Sequence, residues 1–263
     1  MTLLLTNDDG FDAEGLAVLK KRLLADNHTV YVMAPAGNRS AVSNGMTFSS
    51  LEFVRISDTE WTCSGTPVDC VVSALSSSVF PKKIDAVVSG INAGANIGTD
   101  VVYSGTCAAA RQAVLVGVPG IAFSVQPVGE GHYLVSGSAD ENKFIYEPMA
   151  DFAAKNLNTL VELCRVKIPS AFVSVNALAL PEYRGAVFCP HLSHRKYKDV
   201  VEVVESEEGG DSNKYKSVFY GEVPVSSSEP DNDFYAVVRG NIAVSLINAE
   251  PTSCTVDGIK FSL

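Results

Sequence analysis

Two adjacent carboxylates, Asp8 and Asp9, close a short apolar run in the segment Thr6-Asn7-Asp8-Asp9-Gly10. Like charges side by side at the end of a buried strand repel, and holding them there is costly unless a cation compensates. On a regular strand the two would point to opposite faces. The Asp-Gly turn can break that alternation and let them converge. A hard cation such as Mg²⁺ or Mn²⁺, taking carboxylate and amide oxygens plus water, is the natural compensation. The competing reading of Asp-Asp-Gly is an ordinary turn in which Asp8, Asp9 or Asp12 caps the helix that follows.

Three further clusters carry polar groups of the right kind. Asn38-Arg39-Ser40-Ala41-Val42-Ser43-Asn44-Gly45 offers neutral oxygens, amide donors and one cation. A hydroxyl of this loop can complete a metal shell, and Asn44 can hydrogen-bond a phosphoryl oxygen. Ser89-Gly90-Ile91-Asn92-Ala93-Gly94-Ala95-Asn96-Ile97-Gly98 combines three glycines with Asn92 and Asn96, which allows close backbone approach to a ligand. Its spacing is not the dinucleotide-binding Gly-x-Gly-x-x-Gly, and it has no Walker lysine. In Tyr103-Ser104-Gly105-Thr106, small residues open an alanine-rich segment. A helix starting there exposes backbone N–H groups to an anion, helped by the helix dipole, although Ser104 could equally be a plain N-cap.

The elements that position these clusters follow from periodicity. Leu3 to Thr6, Thr29 to Ala34, Ala86 to Ser89, Ile121 to Ser124 and Phe172 to Asn176 read as strands. Leu16, Leu19, Leu23 and Leu24 recur at helical spacing, and helices are also expected over Gly105 to Val116 and Phe144 to Cys164. Thr66-Pro67-Val68-Asp69 has the residues of a capping box with proline in the first turn. Glu52 to Ile56 and Trp61 to Ser64 read as a hairpin insertion. Strands that are apolar throughout and alternate with helices predict a mostly parallel α/β sheet covered on both faces. Ligands bind such sheets beyond the carboxyl ends of the strands. The clusters at Asn7–Asp9, Asn38–Asn44 and Asn92–Asn96 each follow a predicted strand, so all three should meet at one edge.

Beyond Pro181 the character changes. His191 to Asp199 is basic and aromatic, and Glu205 to Asn213 reads as an acidic hairpin tip between the strand-like Val200–Val204 and Tyr215–Gly221. Phe234–Val238 and Ile242–Ile247 look like helix then strand. The expected organisation is a catalytic core over 1–180 and a C-terminal arm with a return segment over 181–263. Arms of this kind often exchange between subunits, which points to a homo-oligomer. His191 and His194 are expected in a surface or interface cluster rather than a second metal site, and Trp61 in core packing.

The 263 residues carry a formal net charge of -10 with 46% hydrophobic and 19% charged residues, as in a folded globular protein. The acidic balance argues against nucleic-acid polymers and anionic membranes as partners. It also requires local cations or a metal to admit a phosphate. The six cysteines show no Cys-x-x-Cys spacing, and no signal sequence or membrane-length apolar run is evident, so the cytoplasm is expected.

The ordered blocks Thr6-Asn7-Asp8-Asp9-Gly10, Ala34-Pro35 with Asn38-Arg39-Ser40, Gly65-Thr66-Pro67-Val68-Asp69-Cys70, Val88-Ser89-Gly90-Ile91-Asn92 with Gly94 and Asn96, and Tyr103-Ser104-Gly105-Thr106 with Ala108, Ala109 and Arg111 resemble the signature blocks of the SurE family. The resemblance is dense over Met1 to Ser124 and returns at Asp233 and Val237–Ser245. It implies a Rossmann-like core with an extended C-terminal β arm, dimers or tetramers, and one divalent metal ion per subunit held by Asp8, Asp9, Ser40 and Asn92. It also implies that Asn44, Asn96, Ser104, Gly105 and Thr106 surround a phosphate, with Asp8, Asp9 and Asn44 catalytic. The implied activity is 5′/3′-nucleotidase hydrolysis of nucleoside monophosphates, extending in some members to short polyphosphate. Two departures stand out. Ala36-Gly37 replaces a common acidic residue, and Val244-Ser245-Leu246-Ile247-Asn248 replaces a usual Ser-x-Thr-Pro pattern. The alternatives are a phosphatase working through an aspartyl-phosphate and a nucleotide-binding regulator without turnover.

Overall fold

Leu3, Leu4 and Leu5 are all fully buried, although alternate residues of a strand face opposite ways. Their strand must therefore lie between two apolar layers, and the rest of the fold supplies them. The computed structural model describes residues 1–128, 144–166, 170–197, 199–205, 215–221, 225–227 and 229–252. In chain order the elements begin β1 (Thr2–Thr6), α1 (Glu14–Ala25), β2 (Thr29–Pro35), β3 (Phe53–Arg55), β4 (Glu60–Cys63), α2 (Pro67–Ser76) and β5 (Ala86–Ala93). A 3₁₀ turn (Gly98–Val102) then precedes α3 (Gly105–Leu115), β6 (Gly120–Gln126), α4 (Glu147–Val166) and β7 (Ala171–Leu178). The chain continues through β8 (Ala186–Phe188), β9 (Arg195–Lys196), β10 (Asp199–Glu205), β11 (Tyr215–Gly221), β12 (Val225–Ser226), α5 (Asp233–Val238) and β13 (Ile242–Asn248).

Among the described residues nine strands form one sheet in the order β3-β4-β2-β1-β5-β6-β7-β13-β8. The central pairs from β4 to β7 are parallel, whereas β3 and β13 run antiparallel to β4 and β7. The mostly parallel sheet expected from the apolar strands is present, with helices on both faces. Leu3, Leu5, Val30, Val32 and Val88 pack with Leu16, Leu19 and Leu23 of α1 and with Met149, Ala153 and Leu157 of α4. Leu4, Tyr31, Met33 and Val87 turn the other way, onto Cys70 and Val71 of α2 and Ala109 and Ala113 of α3. At roughly 1.5–3 kcal/mol per fully buried large apolar side chain, these two layers are the main stabilising contribution.

Local signals act as their residue types require. Thr66 caps α2 in a reciprocal box with Asp69, and Pro67 stands in the first turn. Leu24 departs from the expected apolar stripe and is exposed. α4 starts at Glu147, not Phe144, with Pro148 in its first turn, where no amide donor is missed. The 53–63 hairpin is not a separate insertion, because β4 pairs in parallel with β2 and extends the main sheet. The largest difference concerns β5, which continues to Ala93 instead of ending at Ser89. Its register against β6 shifts between Ser89 and Asn92 at Gly90, whose φ is +128°. A Cβ there would lie 2.4 Å from the Phe123 carbonyl oxygen, so this distorted strand end requires glycine.

After residue 180 the chain returns β8 and β13 to the main sheet and also forms two ribbons, β9–β12 and β10–β11. The expected hairpin of Val200–Val204 with Tyr215–Gly221 is the β10–β11 ribbon, while the tip expected at Glu205–Asn213 lies, beyond Glu205, outside the described residues. Among the described residues no helix is long and apolar enough to cross a membrane.

Candidate functional site

The carboxyl end of β1 carries the site. Past Thr6 the Asn7 side chain closes the turn, donating from Nδ2 to the Gly10 carbonyl at 2.8 Å and accepting from the Gly10 N–H at 3.3 Å. Strand alternation stops there, and the two carboxylates leave the turn toward different neighbours. Asp8, 3% exposed, accepts from the Thr106 N–H at 3.1 Å through Oδ2 and from the Thr106 hydroxyl through Oδ1. It lies so close to the start of α3 that a Cβ at Gly105 would come within 2.8 Å of the Asp8 Cβ. Asp9, half-buried, accepts from the Ala93 N–H at 3.0 Å, at the distorted end of β5. Neither carboxylate caps α1, whose N-cap is Ala13 without a side-chain hydrogen bond. The turn of the alternative reading is present, but its helix cap is not.

The electrostatics follow from that placement. Burial pushes the Asp8 carboxyl up, against the opposing pull of its hydrogen bonds from Thr106 and Gly105. Burial, followed by the charge of Asp8, lifts Asp9 to about 6, although the Ala93 N–H favours its ionised form. Among the described residues no salt bridge includes either carboxylate. Arg39, the basic residue of the second cluster, donates instead to the Ser64 and Gly65 carbonyls at 2.8 and 3.3 Å. Nor does any group of three His, Cys, Asp or Glu suited to a metal occur among the described residues. A cation at Asp8 and Asp9 would need neutral oxygens to complete its shell.

The expected clusters do meet at this edge. The Arg39 N–H donates to the Asp8 carbonyl at 2.6 Å, which sets the exposed Ser40 one residue from the acidic pair. Ser43 donates from its N–H to the Tyr103 carbonyl at 3.0 Å and from its hydroxyl to the Val102 carbonyl at 2.7 Å. Asn44, exposed, thereby stands beside the turn that enters α3. Asn92 donates its amide hydrogen to the Gly94 carbonyl at 2.7 Å, next to the Ala93–Asp9 bond.

The anion-binding helix start is arranged differently from the simplest expectation. Ser104 caps α3, accepting from the Cys107 N–H at 3.0 Å. The Thr106 donors are both directed at Asp8, so the helix terminus holds a carboxylate of the chain itself. Asn96 is buried and donates to the Ser124 hydroxyl at 2.8 Å, while its N–H donates to the Asn176 side chain, also at 2.8 Å. The Ser124 bond uses one of its two amide hydrogens.

Other side chains that brace this edge escape a reading by sequence pattern. Asp233, 1% exposed, accepts from the Gly98 and Ser193 N–H groups at 2.7 Å each, which fixes the glycine loop against the C-terminal segment. An acidic residue next to Asn232 at a helix start signals a cap, and Asn232 does cap α5, but nothing local announces bonds to Gly98. Asp69 likewise accepts from the Thr47 N–H at 2.8 Å and its hydroxyl at 2.7 Å besides serving the α2 cap. His191 is exposed 3.5 Å from Asp231, and the His194 N–H donates to Ser227, which places both in a surface cluster.

The family model described as Survival protein SurE matches residues 3–199 of this chain. The chain belongs to the SurE family. A SurE relative from Treponema pallidum, named 5′-nucleotidase SurE, is 42% identical over 193 residues, covering 72% of this chain and 96% of that protein. One from Desulfitobacterium hafniense with the same name is 35% identical over 260 residues, covering 96% and 92% of the two chains. The crystal structure of the SurE protein from Aquifex aeolicus superposes with a TM-score of 0.75 at 29% identity, covering 96% of this chain and 95% of that one. The SurE likeness thus spans the core and most of the C-terminal segment, including the edge where the acidic pair stands.

Proposed function

We propose that the chain hydrolyses the phosphomonoester of nucleoside monophosphates, using a divalent cation, Mg²⁺ or Mn²⁺, held by Asp8 and Asp9. The observation that carries this reading is the acidic pair itself: two carboxylates lifted by burial, Asp9 also by the charge of Asp8, turned out of strand alternation, and held by N–H donors from two later segments. The two carboxylates, with the Asn92 amide oxygen and the Ser40 hydroxyl on adjoining segments, make an oxygen set that fits a hard cation. Asp8, Asp9 and Asn92 would hold it, with Ser40 from the neighbouring loop. Relatives carrying the name 5′-nucleotidase support the same activity for this chain.

Such a cation, when bound, supplies Lewis-acid polarisation of a phosphoryl oxygen and lowers the pKa of a water. The remaining work falls to the chain. Thr106 and Gly105 fix Asp8 by charge-assisted hydrogen bonds, and Ala93 fixes Asp9, so neither side chain must reorganise during the reaction. Asn44, the Ser104 hydroxyl and the remaining Asn96 amide hydrogen supply donors for the equatorial phosphoryl oxygens. Asp9, the more exposed of the pair, is the carboxylate placed to take a proton from attacking water. Both Asp8 oxygens are already engaged by Thr106, which favours a holding role over that of a covalent nucleophile.

The 3′-nucleotidase and short-polyphosphate activities belong to the same proposal, because the donors named contact phosphate rather than base. The β10–β11 ribbon exposes Val200, Val201, Val203 and Tyr215, and we assign it to contacts in a homodimer or homotetramer. The five described cysteines are all free and buried, as suits the reducing cytoplasm. Phosphate release from a panel of nucleoside monophosphates with Mg²⁺ or Mn²⁺ tests the activity. Asp8→Asn should lower it by at least a hundredfold, on the order of 2.7–4 kcal/mol in the barrier, as for loss of a charge-stabilising group. Near-native turnover in that variant would remove Asp8 from the mechanism.

A further inference from the structure

Among its contacts with the site, the C-terminal segment grips one largely covered carboxylate, Asp100. Asp100 lies in the 3₁₀ turn, and its side chain is clamped by Arg195 Nη1 on one oxygen and by the Tyr197 hydroxyl on the other. Arg195 is 8% exposed, and its ring-facing contact with Tyr197, 5.9 Å from guanidinium carbon to centroid, packs the two clamping groups together. Burying a guanidinium is costly unless it is paired, so this arrangement is a specific one. The main chains are joined as well. The Arg195 N–H donates to the Thr99 hydroxyl at 3.0 Å, and Asp233 anchors both Gly98 and Ser193.

The same turn is where the catalytic parts meet. The Asp100 carbonyl accepts from the Tyr103 and Ser104 N–H groups at 3.0 and 3.2 Å, which sets the cap of α3. The first turn of α3 then holds Asp8. The Val102 and Tyr103 carbonyls hold Ser43 and so the Asn44 loop. Displacing Asp100 therefore moves a phosphate donor, a helix cap and a metal carboxylate together. Releasing Arg195 also leaves an uncompensated negative charge beside a site that must admit phosphate.

We propose that Arg195 and Tyr197 are positioning residues for hydrolysis, clamping Asp100 so that the 3₁₀ turn holds Ser104, the Asn44 loop and α3 in register with the acidic pair. The proposal rests on the nucleotidase reading above. Neither residue touches reacting atoms; they act on turnover through their hold on Asp100.

The test uses the full-length protein with Mn²⁺ and a nucleoside monophosphate, measuring kcat, KM, thermal unfolding and solution mass for Tyr197→Phe, Arg195→Met and Arg195→Lys. Tyr197→Phe keeps the ring and removes one hydroxyl. Its kcat should fall on the order of tenfold, because sub-ångström misplacement is enough for such losses. Its Tm should change by only a few degrees and its solution mass not at all. Arg195→Met should lose more in kcat and raise KM, and Arg195→Lys, which keeps the charge, should recover most of the loss. Wild-type kcat and KM in both Tyr197→Phe and Arg195→Met overturn the proposal. So does a loss that tracks the unfolded fraction and disappears when the assay is cooled. If Arg195→Met does not fold, Tyr197→Phe alone decides. A wild-type protein that releases no phosphate with either metal would instead overturn the nucleotidase reading, which separates the two failures.

Discussion

Asp9→Asn should make the metal-free protein more stable while removing its activity. Burial and the charge of Asp8 lift the Asp9 carboxyl from 3.8 to about 6, so keeping it ionised in the folded chain at pH 7.5 is unfavourable. At 1.36 kcal/mol per pH unit the cost is about 3 kcal/mol. The amide oxygen that replaces the carboxylate can still accept from the Ala93 N–H, so little else is lost. The sign follows from linkage. A carboxyl whose folded pKa is raised is at no disadvantage below its unfolded value near 4. The penalty grows between about 4 and 6 and is complete above 6. In EDTA at pH 7.5 the variant should therefore unfold about 6–12 °C above wild type, and at pH 4 the two should coincide. Mn²⁺ at a hundred times its Kd should nearly cancel the difference, since it adds about 2.7 kcal/mol to the wild type alone, and at a thousand times its Kd, adding about 4.1 kcal/mol, it should reverse the order. Differential scanning calorimetry at the two pH values, with and without Mn²⁺, measures all of this. A metal-free variant no more stable than wild type at pH 7.5, or an advantage that persists at pH 4, would refute the electrostatic account.

Thr106→Val removes the hydroxyl that donates to Asp8 and keeps the backbone bond. Mn²⁺ affinity or phosphate release should drop about 10- to 100-fold, as is usual when a group that orients a ligand is lost, and titration calorimetry with unchanged affinity and turnover would contradict this. Gly105→Ala places a Cβ 2.8 Å from the Asp8 Cβ and 2.9 Å from its Oδ2. It should cost about 1–3 kcal/mol in stability and most of the activity, measured by denaturant unfolding and phosphate release.

The sequence by itself determined the parts of this protein whose causes are local. Leu3-Leu4-Leu5 and its counterparts must be covered on both faces, which calls for a parallel sheet between helices. Thr66 with Asp69, and Ser104 with Cys107, make caps from groups three residues apart, so pattern alone located two helix starts. The meeting of the three polar clusters at one sheet edge was also legible, because strand direction fixes which loops share an edge. Only the tertiary structure decided which groups face one another there. Thr106 reads as a phosphate donor beside Ser104 and Gly105, yet its hydroxyl and amide both bind Asp8, 98 residues away in the chain. Asn92 reads as part of a loop, yet it lies on a strand that Gly90 allows to continue out of register. Asp100 and Asp233 carry no local signature of their tasks, because their partners at Arg195, Tyr197, Gly98 and Ser193 become neighbours only when the C-terminal segment folds back. Periodicity and capping report forces acting over one turn or one pleat, whereas a hydrogen bond between distant segments leaves no periodic trace in the sequence.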